Sequence, residues 1–104
     1  MQLKERIEID FRAALHRAEV LEEAADQLRR VVNVQLENAL QHTGSGWHGE
    51  NANLFRSKCS ILSSEVDDTA NDIRHVALGI RIAAKVMYQA EMNALQLVTN
   101  GRRD

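Results

Sequence analysis

The chain has 104 residues, with 13 basic against 15 acidic side chains, one cysteine and no proline. That length is near the small end of domains that fold alone, and the single Cys59 excludes an internal disulfide framework and fits synthesis in a reducing compartment. The formal net charge of −2 offers no basic field for nucleic acid or an anionic membrane.

Residues up to Ile9 read two ways. Leu3, Ile7 and Phe11 are four apart, as on one helical stripe, yet Ile7-Glu8-Ile9-Asp10-Phe11 also alternates as an extended arm would. We expect an extended entry with Asp10 as N-cap, because an aspartate accepts the orphan amide hydrogens of a first turn. The first helix is then expected over about residues 10–42. Phe11, Leu15, Ala18, Leu21, Ala25, Leu28, Val32, Leu36 and Ala39 recur at three or four residues and share one face, which is rich in alanine and allows a close neighbour.

A loop is expected over residues 43–49. It sits in the stretch His42-Thr43-Gly44-Ser45-Gly46-Trp47-His48-Gly49, which holds the only tryptophan. Gly44 suits the left-handed residue that ends a helix, and Gly46 adds a second permissive position. The second helix is expected over about 50–100, with Glu50 in its first turn where the helix dipole favours a carboxylate. Two sets of sevens run along it: Cys59, Val66, Ile73, Ile80, Met87 and Ala94, and Phe55, Leu62, Thr69, Val76, Ala83, Ala90 and Leu97. Interleaved sevens of this kind make a coiled-coil seam. Gly79 is either a point of close helix approach or a weak spot. Asn100-Gly101 should end the helix, with Arg102-Arg103-Asp104 a frayed tail.

These elements predict an all-α fold, a single antiparallel two-helix hairpin. Roughly 32 residues against roughly 50 would leave about 15 or more residues of the second helix overhanging, still carrying apolar seam positions. Exposed stripes of that size meet a partner, and two hairpins covering each other would form a four-helix bundle dimer. The residues expected in the hairpin and dimer seam are Leu21, Ala25, Leu28, Val32, Leu62, Val66, Ile73, Ile80 and Met87.

Trp47-His48-Gly49 between two uninterrupted heptad helices, in a chain of about 100 residues, resembles the WXG family, the small ESAT-like proteins exported by type VII secretion systems. The resemblance covers nearly the whole chain, and Ile7-Glu8-Ile9-Asp10 looks like the extended entry that often precedes the family's first helix. It implies a small secreted substrate or co-secreted targeting partner, acting by protein–protein recognition. By the same resemblance the Trp-x-Gly bend of one subunit lies beside the C-terminal end of its partner's second helix, where the family carries a Tyr-x-x-x-Asp/Glu export motif. This chain departs there. Tyr88 is its only tyrosine, the fourth residue on is Met92, and the nearest acid is Glu91 at three. Recognition is therefore expected to involve Trp47, Gly49, Tyr88 and Glu91. The implied partners are a second copy, or a WXG-like or LXG-type protein, and the type VII motor ATPase. Secretion would proceed without a cleaved signal peptide, since Met-Gln-Leu-Lys-Glu-Arg lacks an apolar core, and no stable membrane insertion is expected.

The plainer reading of Trp47 and Gly49 is a packed loop tryptophan beside a turn glycine, and that of Tyr88 and Glu91 is a surface residue near an unrelated charge. On it the chain is a cytosolic coiled-coil adaptor or chaperone without an export role. Asp67, Asp68, Asp72 and His75 could share a helix face as metal ligands, but without a second cluster a solvated acidic face is expected. His42, His48 and Glu50 beside the loop read the same way. Cys59 on the seam reads as a small core residue. A phosphate cradle, an HExxH pair and a nucleophile in a strand–turn–helix setting are all lacking, so neither an enzyme nor a cofactor is expected.

Overall fold

The computed structural model describes residues 2–44 and 46–101. It contains two helices packed against each other as an all-α hairpin, α1 over Leu3–Thr43 and α2 over Glu50–Gly101. The expected tail at residues 102–104 lies outside the described residues. Contacts divide the hairpin into two compact units, a bend unit of Glu22–Arg74 and an open-end unit of Met1–Leu21 with His75–Asp104.

In the bend unit the buried residues are Ala25 on α1 and Ala52, Cys59 and Ala70 on α2. Cys59 is thus the core residue its seam position suggests. Leu28, Val32 and Leu36 on α1, and Phe55, Val66 and Ile73 on α2, flank this line half-buried. The smallest side chains occupy the line of closest approach because a methyl lets two backbones come nearer than a branched chain does.

One flank of that line is polar. Arg29 forms an ion pair with Asp67, Nε to Oδ1 at 2.9 Å, and donates a hydrogen bond from Nη2 to Asn71 Oδ1 at 3.1 Å. The Arg29 Nε and Asp67 Oδ1 atoms are shut off from solvent and make no hydrogen bond, so the opposite charge at 2.9 Å is what offsets their burial. Arg74 pairs with Asp26, and Ser63 Oγ donates to Asn33 Oδ1 at 3.0 Å. Positions 26, 29 and 33 share one face of α1, and 63, 67, 71 and 74 share one face of α2. Asp67 therefore does not belong to a solvated acidic face, since a cross-helix arginine holds it. The other flank is apolar. Leu62, Val66 and Ile73 recur there on α2, and Leu28 and Val32 on α1, with Leu62 exposed and the rest half-buried.

The open-end unit repeats the alanine line with Ala18 on α1 and Ala77 and Ala84 on α2, and adds buried Ile7. Here α1 begins at Leu3. The extended entry and the Asp10 cap are not found, and that point of likeness to the WXG family falls away. The reason is burial: Leu3, Ile7 and Phe11 act as a helical stripe because Ile7 gains an apolar seat. Glu5 in the first turn also suits the helix dipole. The expected overhang of α2 is removed as well, because Leu3 and Ile7 line one groove with Ala94, Leu95 and Val98.

The second set of sevens on α2 does not enter the hairpin seam. Phe55 is half-buried, but Leu62, Thr69, Val76, Ala83, Ala90 and Leu97 are exposed. Ser63, Ala70, Ala77 and Ala84, one residue further on, take their place beside Cys59, Val66, Ile73 and Ile80. Of the expected seam residues, Met87 is 60% exposed and Leu62 44%, while Leu21, Ala25, Leu28, Val32, Val66, Ile73 and Ile80 are buried or half-buried. Gly79 is not a point of close approach, since a Cβ there would meet nothing within 4 Å.

Enlarging a buried alanine should force the helices apart. Ala70→Leu is expected to cost about 1–3 kcal/mol by overpacking, read as a lower midpoint in thermal or urea unfolding. Exposed Ala13→Leu is the control, expected to stay within about 0.5 kcal/mol of the parent. Equal stability of the two variants would refute the seam as described.

Candidate recognition surface at the bend

The bend is built by two helix ends. Gly44, at φ +64°, turns the chain out of α1, and its amide donates to the Gln41 carbonyl at 3.1 Å. This is the left-handed stop expected from the sequence. Thr43 Oγ1 donates to the Leu40 carbonyl at 2.7 Å, and His42 Nδ1 lies 3.0 Å from the Asn38 carbonyl oxygen, so both side chains serve the last turn. At the other end the Asn53 amide donates to the Gly49 carbonyl at 3.1 Å and opens α2.

Trp47 lies between these two ends with 37% of its surface exposed. Its indole packs on Phe55 with ring centroids 5.6 Å apart and planes tilted by 45°, a geometry aromatic pairs favour. Its carbonyl accepts a hydrogen bond from Arg56 Nη2 at 2.8 Å, and Arg56 Nη1 reaches Asn53 Oδ1 at 3.5 Å. Gly49 has φ +106°. The sequence suggested a glycine that lets another backbone or ring come close, but a Cβ at Gly49 would meet nothing within 4 Å. The requirement is torsional: a side chain resists this φ whatever the space around it.

Tyr88 and Glu91 belong to the open-end unit, whereas Trp47 and Gly49 belong to the bend unit. The Tyr88 ring stacks on Phe11 with centroids 4.6 Å apart and an interplanar angle of 30°. Glu91 is exposed and lines, with Ile7 and Asp10, the groove of about 430 Å³ between the first turns of α1 and the last turns of α2. Met92, at the position where the family carries an acid, is half-buried.

Periodicity marks Phe55 as apolar but says nothing of Arg56, whose partner is nine residues away in a segment without a repeat. Asn53 was likewise not identified, and no signal in the sequence points to either. Among the described residues no group of three or more His, Cys, Asp or Glu side chains is placed to hold a metal ion. Among the same residues no helix is long and apolar enough to cross a membrane. Comparison with family models, curated proteins and solved structures gives no match for this chain.

The two glycines separate torsional need from helix propensity. Gly49→Ala should cost about 1–2 kcal/mol, the penalty of left-handed backbone for an L-residue. Gly79→Ala should stabilise by about 1 kcal/mol, because alanine is the better residue in a helix interior. Chemical unfolding of both variants checks the opposite signs, and a neutral Gly49→Ala would show that the bend does not hold its backbone as described.

Proposed function

We propose that this chain is a small substrate or co-secreted targeting partner of a type VII secretion system, acting by recognition and not by chemistry. The observation that carries this reading is the bend: a single, partly exposed tryptophan held between two long helices, followed by a glycine in a conformation that side chains resist. An apolar ring displayed at a fixed place is what a partner protein can read, since aromatic anchors dominate recognition surfaces.

The active form on this reading is a dimer. The overhang no longer argues for it, but the apolar flank does. In the bend unit Leu28, Val32, Leu62, Val66 and Ile73 lie on the side opposite the ion pairs. In the open-end unit Val76, Ile80, Ala83 and Met87 recur on one α2 face, with Val76 57% exposed. Two such flanks facing each other would make a four-helix bundle and cover apolar surface that a lone hairpin leaves in water. A homodimer uses this chain twice; a heterodimer would pair it with a related WXG-like or LXG-type protein. The composite of the Trp47 bend and the Tyr88 region would then meet the motor ATPase or the partner toxin, and the protein would be secreted.

A second reading, a cytosolic coiled-coil adaptor or chaperone, is favoured by one observation. The stack on Phe11 accounts for Tyr88 without any export role.

The deciding variant is Trp47→Ala. Export is expected to be abolished while far-UV circular dichroism remains helical, and undiminished secretion of this variant would sink the reading. Light scattering on the purified chain is expected to give twice the 11.7 kDa chain mass. A monomer would remove the homodimer and direct the search to a non-identical partner.

A further inference from the structure

We propose that Arg56 is the positioning residue of the Trp47 bend, with Phe55 as its companion, and that the two together hold the indole in one orientation for a partner. The proposal rests on the reading of the bend as a recognition element. Trp47 belongs to neither helix, so no helical hydrogen-bond ladder fixes its backbone. Two adjacent residues of α2 supply what the ladder does not. Arg56 donates to the Trp47 carbonyl at 2.8 Å, and Phe55 packs against the indole at 5.6 Å. One grips the main chain and the other the ring, which leaves the indole little freedom to rotate about either.

The guanidinium is itself steadied. Its second nitrogen reaches Asn53 Oδ1 at 3.5 Å, one helical turn back on the same face. A planar fork with several donors can serve a carbonyl and an amide oxygen at once, whereas a lysine ammonium on a flexible stem is a point charge without that geometry. Arg56 thus acts through Trp47 and not on the partner. What it contributes is order set at folding, so that less mobility has to be removed when a partner binds.

Trp47 is the only tryptophan, so fluorescence excited at the red edge, where the Tyr88 phenol does not absorb, reports on the bend alone. The experiment compares the full chain with Arg56→Ala, Arg56→Lys and Phe55→Leu by tryptophan anisotropy, acrylamide quenching and far-UV circular dichroism, alongside secretion from cells with a working export system. Arg56→Ala is expected to lower the anisotropy and raise the quenching without changing helicity. Arg56→Lys should fall between Arg56→Ala and the parent, a grading that a merely structural charge would not produce. Secretion of Arg56→Ala should drop on the order of three- to tenfold, the effect of freeing one or two ordered side chains at an interface. Unchanged anisotropy and quenching in both Arg56 variants would overturn the positioning role. Looser fluorescence with undiminished secretion would leave the clamp standing and overturn the recognition reading on which its purpose rests. If Arg56→Ala loses helicity, Arg56→Lys and Phe55→Leu decide by the same two fluorescence measurements.

Discussion

The close approach of two helices along a line of alanines governs this structure. Ala18, Ala25, Ala52, Ala70 and Ala77 have no exposed surface at all, and among the described residues no large side chain is fully buried. A methyl-lined seam brings backbones together but removes little apolar area per residue from water, and the hydrophobic term scales with that area. The larger aliphatic side chains are displaced to the flanks of the line, where the same packing that seals the alanines leaves them half in solvent. The hairpin is therefore a well-fitted but thin core, and its surface inherits the apolar area that the core does not use.

An alanine repeat of this kind is also ambiguous in register. Ala70, Ala77 and Ala84 are seven apart, as are Ala18 and Ala25, so sliding one helix by two turns would again set alanine against α2's small residues. The polar flank of the bend unit breaks that degeneracy. Asp26 meets Arg74, Arg29 meets Asp67 and Asn71, and Asn33 meets Ser63, each step up α1 matched by a step down α2. A slip would separate Arg29 Nε from Asp67 Oδ1, two atoms shut off from solvent on side chains that are otherwise part-exposed. Ion pairs as exposed as these contribute little to net stability; their consequence is which alignment, and so which flank, is presented outward.

Much of this was legible in the sequence, and the failures have identifiable causes. The turn at Gly44, the start at Glu50 and the alanines of α1 each follow from a local rule: a left-handed stop, a dipole-matched carboxylate, a repeat of three and four. The start of α1 differs from the expectation because Leu3, Ile7 and Phe11 fit a helical stripe while Ile7, Ile9 and Phe11 fit an alternating one, and only burial, with Ile7 buried and Ile9 exposed, separates them. On α2 the first set of sevens enters the seam from Cys59 to Ile80, and the second set does not beyond Phe55. Periodicity places the larger side chains at 62, 69 and 76, whereas the need for close approach selects the smaller ones a residue further on, at 63, 70 and 77. Arg56 and Asp67 were not recoverable at all, since each acquires its role from a residue distant in sequence.

The departure of this chain from the family's tyrosine motif has a physical reading in the same packing. Positions three and four beyond Tyr88 both fall on the tyrosine's side of the helix. They are not equivalent, because Tyr88 leans on Phe11 and Met92 is half-buried with it, while Glu91 is exposed at the edge of the groove. A carboxylate at 92 would lose part of its hydration, whereas at 91 it remains in water. Placing an acid near Tyr88 while keeping the open end closed over Ile7 thus favours position 91.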